Sequence, residues 1–341
     1  MSNEGLNAVA VNRQANQNLI IAVKAKDITA VKRALRQGAD VNCHAEEEYR
    51  CCDGLTALMI AAIEGLTDIS KFLIQSGADV NICDEQGRAA LEYACMYESV
   101  EIVKMLTASG ASLAIRKGGE YDIIPLLYAV GSKNIEIVKI LLNAGADVNA
   151  RFDERDDTPL AYTAEEGLED IAALLIDHGA DVNARLRYII PGQCRTRHAD
   201  NTPLMFAAFK NRLGMVRLLV ERGADVNARS RFSNETALMC ACDNGYWCVR
   251  PKRVTYEDRS PEAARLILEA GADIDAQDID GMTALMHACR NGQINIVRFL
   301  LKSGANITIK DNDGYDAAAI ASALRYEKIA ALLGATNGAS R

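Results

Sequence analysis

Apolar residues recur along this chain in short blocks at helical spacing. In the stretch from Glu136 to Asp147 they fall at Ile137, Val138, Leu141 and Leu142, one stripe of a helix. Gly145 follows, a residue that accepts the left-handed conformation of a helix C-terminal cap. A different block precedes each such stripe: Thr or a substitute, then Leu, then small residues, as in T-A-L-M-I-A-A from Thr56. Thr there suits the cap of a short helix, and Pro125, Pro159 and Pro203 suit its first turn. Small residues at Ala61, Ala94, Ala129, Ala207, Ala241 and Ala288 permit close helix packing. The pattern predicts pairs of short helices. One pair cannot bury its own apolar face, so the pairs must stack.

The blocks keep phase. The string Gly-Ala-Asp-Val-Asn begins at Gly38, Gly77, Gly145, Gly179 and Gly223, with looser copies at Gly110, Gly271 and Gly304. Successive copies are 39, 33, 35, 34, 44, 48 and 33 residues apart. The Thr-Leu block recurs from Thr56, Thr158, Thr202, Thr236 and Thr283, and more weakly from Ala89, Ile124 and Asp316. The Asp-Val-Asn after each Gly-Ala predicts a turn whose Asx side chains bond to nearby backbone.

Two motifs in phase over nearly the whole chain resemble the ankyrin repeat. The resemblance implies an all-α ankyrin-repeat solenoid, built of helix-turn-helix repeats with β-turn or hairpin fingers. The family's T-P-L-H signature is not kept whole. Met59, Met205, Met239 and Met286 stand at the His, with Glu92, Leu127 and Ala161 in other repeats, which removes one hydrogen-bonding group between repeats. Residues 1–341 divide on this reading as a single solenoid. Residues 13–42 are an N-terminal cap, followed by full repeats at 43–81, 82–114, 115–149, 150–183, 184–227, 228–275 and 276–308. A C-terminal cap spans 309–334, and 335–341 is expected to be a frayed tail.

Three repeats exceed the ~33-residue ankyrin period. The excess lies within Cys43 to Asp53, Arg185 to Ala199, and Tyr246 to Ser260. Helix is expected to resume at Ser260-Pro261-Glu262, with Ser as cap and Pro in the first turn. Insertions in repeat arrays often lie on the binding face. The second insertion carries Arg185, Arg187, Arg195 and Arg197 with no acid between them. The third carries Arg250, Lys252, Arg253 and Arg259 against Glu257 and Asp258, together with Tyr246 and Trp247, the only Trp. Positive charge concentrated there points to steering of an acidic partner.

A row of variable residues marks the first helix of each pair, two residues after its Leu: Ile60, Tyr93, Tyr128, Tyr162, Phe206, Cys240 and His287. The ankyrin resemblance places this row at the border of a concave surface. Adding the helical neighbours Tyr97 and Phe209 gives six aromatics in four consecutive repeats. Tyr buries apolar area while keeping a polar tip, so Tyr93, Tyr97, Tyr128, Tyr162, Phe206 and Phe209 are candidate anchors for a peptide or protein. Arg195, Arg197, Trp247 and Arg253 complete the candidate partner-binding set.

Composition narrows the classes. Hydrophobic residues are 49% and charged residues 25%, as in a folded chain, and aromatics are 5%, which leaves the core to Ala, Leu, Ile and Val. The net charge of −8 argues against nucleic acid and anionic membrane as partners. No apolar run reaches the ~20 residues of a membrane span, and the polar start lacks the apolar core of a Sec signal. The expectation is a cytoplasmic monomer with reduced thiols, a non-Sec export route remaining open. No phosphate loop, nucleophile elbow or HExxH occurs, so no enzyme activity, cofactor or metal is assigned. Cys240 and His287 hold equivalent positions in adjacent repeats, but a zinc or Cys–His nucleophile reading lacks an evident third ligand or orienting group, and the finger residues Cys43, His44, Cys51 and Cys52 match no familiar zinc spacing. Cys95, Cys242 and Cys289 read as small core residues. The leading functional reading is a non-enzymatic protein-interaction scaffold binding an acidic partner with apolar anchors. A host-directed effector or inhibitor is a second reading, because the T-A-L-M variant is similar to that of many bacterial ankyrin-repeat proteins. A structural spacer is a third.

Overall fold

The computed structural model describes residues 3–45, 54–114, 124–151, 158–185, 200–243 and 259–338. The chain divides into two compact units, 1–152 and 153–341. In the first unit the helices run as four pairs: α1 (Asn3–Lys24) with α2 (Ile28–Arg36), α3 (Ala57–Ile63) with α4 (Thr67–Gln75), α5 (Ala90–Met96) with α6 (Val100–Ala108), and α7 (Pro125–Gly131) with α8 (Ile135–Asn143). The second unit opens with α9 (Pro159–Glu166) and α10 (Glu169–Asp177), then α11 (Pro203–Phe209) and α12 (Leu213–Glu221). It continues with α13 (Ala237–Ala241) and α14 (Glu262–Glu269), α15 (Ala284–Arg290) and α16 (Ile294–Lys302), and α17 (Ala317–Ala323) and α18 (Glu327–Gly338). The fold is an all-α repeat stack in each unit, and no strand longer than an isolated bridge, His44 with Thr56, occurs among the described residues.

Local chemistry sets where each helix starts. The hydroxyls of Thr56, Thr158, Thr202, Thr236 and Thr283 accept the backbone N–H three residues on. The reciprocal half of the box comes from an unexpected group. The Sδ atoms of Met59, Met205, Met239 and Met286 accept the cap residue's own N–H at 3.4–3.5 Å. Met therefore fills the place usually held by Glu or Gln. In α5 the carboxyl group of Glu92 does that work, accepting from Ala89 N–H at 2.9 Å. The second helix of each pair ends as expected: Gly145 takes φ 94°, and Ala146 N–H reaches back to Leu141 C=O at 3.0 Å.

Within each unit, first helices pack on first helices (α1, α3, α5, α7; α9, α11, α13, α15, α17) and second helices on their own partners and neighbours. Ala61, Ala94, Ala129, Ala207 and Ala288 are fully buried and Ala241 nearly so, which lets the backbones approach. The second helices contribute the large apolar groups, such as Ile137, Val138 and Leu141, all at 0% exposure. Each such side chain contributes roughly 1.5–3 kcal/mol by leaving water.

The Asp-Val-Asn turn divides its labour. Its Asp stays local: Asp40, Asp79, Asp147, Asp181 and Asp225 each accept the N–H two residues on, at 2.9 Å. Its Asn reaches the next repeat instead. Asn42 Oδ1 accepts Asp79 N–H, Asn81 accepts Ser112, Asn183 accepts Asp225, and Asn227 accepts Asp273. Asp275 does the same for Asn306, and Asn16 of α1 accepts Asp40 N–H within the N-terminal unit. Asn81 and Asn227 also donate to Gly110 and Gly271 carbonyls. The local Asx bonding expected from sequence thus describes half of the motif.

Three boundaries differ from expectation. Helix α1 starts at Asn3, ahead of the cap expected from residue 13, and α18 runs to Gly338, past 334. Strong helix formers, Ala330 to Leu333 and Ala335, carry α18 into the expected tail. Pro261 occupies the cap position of α14 rather than its first turn, with Ser260 Oγ accepting Glu262 N–H at 3.4 Å. Most of each expected insertion, within 43–53, 185–199 and 246–260, lies outside the described residues.

Asn227 supplies both an acceptor and a donor between repeats. Asn227→Ala is expected to lower the unfolding free energy by about 1–2 kcal/mol, at ~0.5–1.5 per hydrogen bond. Asn227→Asp keeps the acceptor, as Asp275 does, and should lose about half as much; urea denaturation of the three proteins measures both.

Candidate functional site

The first-helix row was expected to border an open surface throughout. The structure splits it. Ile60, Tyr93, Cys240 and His287 are buried, while Tyr128, Tyr162 and Phe206 are half-buried. Tyr93, at 1% exposure, is therefore not an available anchor. The cause is the preceding finger. Asp84 Oδ1 accepts Arg88 N–H, and its Oδ2 accepts the Tyr93 hydroxyl at 2.5 Å, while the Arg88 guanidinium lies 4.9 Å from the ring centroid. The same lock recurs with different chemistry in the second unit: Asp278 Oδ1 accepts Met282 N–H, and its Oδ2 pairs with His287 Nε2 at 2.9 Å.

The neighbours one turn on are more open. Tyr97 is 52% exposed, and Phe209 is half-buried with Lys210 Nζ 6.0 Å from its ring centroid. Lys210 also pairs with Glu165 at 3.0 Å. The first unit thus keeps Tyr97 and Tyr128 at its surface, and the second keeps Tyr162, Phe206 and Phe209.

Of the basic candidates, Arg195, Arg197, Trp247 and Arg253 lie outside the described residues. Two arginines counted with them are engaged in holding the fold. Arg185 pairs with Asp200 at 2.9 Å and donates to Arg229 C=O at 2.7 Å. Arg259 donates to Phe209 C=O at 3.0 Å and Asp243 C=O at 2.9 Å, closing the ends of α11 and α13. Burial lowers the proton affinity of that guanidinium, opposed by the nearby Asp243.

Sequence reasoning missed the fingers as an apolar surface. Phe232, Ile279 and Tyr315 are 48%, 59% and 53% exposed, in three consecutive fingers of the second unit. Ile279 N–H bonds to Ser233 C=O and Asn312 N–H to Asp280 C=O, so adjacent fingers are tied by backbone. The available signal was an apolar residue inside a polar turn, as in Asp278-Ile279-Asp280.

Glu235, Asp278 and His287 bring ligand-type atoms within 4.8 Å of one another, all buried. Their hydrogen bonds do not suit a metal. Arg290 donates to His287 Nδ1 at 2.8 Å, so Nε2 carries the proton and gives it to Asp278. A metal-bound His instead donates from its second nitrogen to an acceptor. Asp278 already receives Asp280 and Met282 N–H groups, and Glu235 receives Ser233 Oγ–H at 3.0 Å. The cluster fastens two fingers to α15. Cys240, expected beside His287, is buried, but the imidazole is committed to Asp278 and Arg290. In the first finger His44 Nδ1 meets Gly54 C=O at 2.7 Å and the Cys43 thiol donates to Asn16 C=O at 3.8 Å; Cys51 and Cys52 lie outside the described residues.

Burial raises the thiols of Cys95, Cys242 and Cys289 far above the ordinary range, with Glu92 adding to the effect at Cys95 and Asp243 at Cys242. These three are expected to stay unmodified by iodoacetamide at pH 8 in native protein and to react fully in urea. Peptide-resolved mass spectrometry reads the difference, and native labelling would contradict the packing of α5, α13 and α15.

A family model described as ankyrin repeats matches residues 19–117, 114–185, 186–251 and 254–340. An ankyrin repeat protein of Acanthamoeba polyphaga mimivirus is 31% identical over 131 residues, 38% of this chain and 16% of the relative. A tyrosine-protein kinase of Hydra vulgaris is 30% identical over 133 residues, 39% of this chain and 17% of the kinase. An ankyrin repeat protein of Rickettsia felis is 29% identical over 134 residues, 39% of this chain and 42% of the relative. The chain thus spans less than half the length of each of these relatives. No helix among the described residues is long and apolar enough to cross a membrane.

Proposed function

The chain belongs to the ankyrin-repeat family, and from that premise we propose that it is a non-enzymatic protein-interaction module. Its partner is a protein or peptide that sets apolar side chains against the first-helix faces and the fingers. The observation that carries this reading is the recurrence of large apolar groups left at the surface of consecutive repeats. Tyr97 and Tyr128 remain open in the first unit, and Tyr162, Phe206, Phe209, Phe232, Ile279 and Tyr315 in the second. Polar groups behind them are committed: Asp84 to Tyr93, and Asp278 to His287. The open aromatics are therefore not needed to close those locks.

Tyr and Phe at such positions make effective anchors because they combine area with few rotatable bonds. Two well-covered rings contribute roughly 3–6 kcal/mol before the cost of association. The basic insertions are proposed to steer an acidic partner through Arg195, Arg197 and Arg253, with Trp247 as a further anchor. Arg185 and Arg259 leave that set, since both are bonded within the fold. The relatives' shared stretches support the repeat module, while a host-directed role and a spacer role are the competing uses of such a module.

Affinity capture from source lysate with quantitative mass spectrometry tests the reading. Tyr128→Ala/Tyr162→Ala is expected to lose a partner that wild type retains, with affinity falling at least tenfold, and Phe232→Ser/Ile279→Ser to weaken it further. Equal capture by all variants would remove the first-helix faces and fingertips as the site, and no partner would favour a spacer. Arg195→Glu/Arg197→Glu is expected to weaken binding most at low salt, because exposed charges are screened as ionic strength rises.

A further inference from the structure

Eight first helices carry a residue at the third helical position, where the capping box closes: Met59, Glu92, Leu127, Ala161, Met205, Met239, Met286 and Ala319. Glu92 alone is ionisable, and it is fully buried. One of its oxygens, Oε2, accepts Ala89 N–H at 2.9 Å. The other, Oε1, is buried with no hydrogen-bond partner among the described residues. A buried carboxylate oxygen without a donor disfavours the charged form, whereas a carboxylic acid keeps the cap bond and sheds the charge.

Among the described residues the surrounding groups do not compensate. Asp84 is held by Arg88 at 3.1 Å and by the Tyr93 hydroxyl, so its negative charge stands near Glu92. Arg88 partly offsets that charge but is committed to Asp84 and to the Tyr93 ring. From α7 the nearby ionisable group is Tyr128, and on α5 itself it is Cys95. Helix α3 brings only apolar residues from Ala57 to Ile63. Helix α6 carries Glu101 and Lys104, exposed and paired with each other at 2.9 Å.

We propose that Glu92 is a proton-operated latch: its neutral carboxyl holds the start of α5 in the stack of the first unit, and its ionisation loosens that segment. Desolvation pushes this carboxyl from the ordinary 4.5 up to about 7, with Asp84 adding to the rise and backbone N–H groups and Arg88 opposing it. A raised native value means stability is fully present below the unfolded-state value and is lost as pH rises through the native one. The loss therefore falls between pH 4.5 and about 7. The segment that loosens includes Arg88 and Tyr93, which the same finger lock holds down. The latch does not depend on which partner the module binds.

Two variants isolate the effect in the full chain. Glu92→Met installs the residue found at this position in four other repeats, and Glu92→Gln preserves shape without a charge. Hydrogen exchange of peptides within 84–108 is measured from pH 5 to pH 8, each pH referenced to the variants so that intrinsic exchange cancels. The local opening constant of wild type is expected to rise relative to both variants by roughly 50- to 100-fold across that range. Parallel profiles for wild type and variants would overturn the proposal. Should Glu92→Met fail to fold, Glu92→Gln alone decides. A carboxyl-carbon NMR titration of wild type gives a direct reading: a Glu92 transition near pH 7 supports the latch, and one below pH 5 overturns it.

Discussion

The structure depends on one short bond repeated along each stack: an Asn side-chain oxygen of one repeat accepting the backbone N–H of the next repeat's turn. Helix pairs of this size bury little on their own, and apolar faces alone would let neighbours slide. The side-chain oxygens of Asn42 and Asn81, and again of Asn183, Asn227 and Asp275, tie the turn of one repeat to that of the next. The small Ala residues then pack because the register is already set. The finger locks at Asp84 and Asp278 add a second tie, from turn to first helix, within the repeat.

These two ties explain which surface remains for function. A first-helix side chain that a finger carboxylate captures, such as Tyr93 or His287, is withdrawn into the core. At the same position Ile60 and Cys240 are buried as well, while Tyr162 and Phe206 are half-buried. The same sequence position is therefore closed in some repeats and partly exposed in others. A similar division separates the arginines. Arg185 and Arg259 spend their donors on backbone carbonyls and Asp200.

The fold was legible in the sequence because its causes are local and periodic. Thr caps, helix-ending Gly residues and the apolar stripe of α8 all follow from spacing within a dozen residues. The Met thioether as a capping acceptor was not legible, because sulfur is absent from the usual cap chemistry and Met59 reads as plain core. The Asn ladder was half-legible: residue type indicated a turn, but nothing within one repeat shows that Asn227 answers to Asp273, 46 residues on. The candidate site was less legible still. Tyr93 and Tyr162 look equivalent in sequence, each nine residues after an Asp, yet one is buried and the other half-buried. The exposed Phe232, Ile279 and Tyr315 follow no helical period, so a search by helix position passes over them.

Arg259 has a consequence for how this part of the chain is joined. Its guanidinium bonds the carbonyls of Phe209 and Asp243, so the chain re-enters the stack at a fixed point whatever precedes it. Asp243 is likewise fixed where the chain leaves. One side chain thus joins three helices, because the start of the α14 segment is held to the C-terminal ends of both α11 and α13.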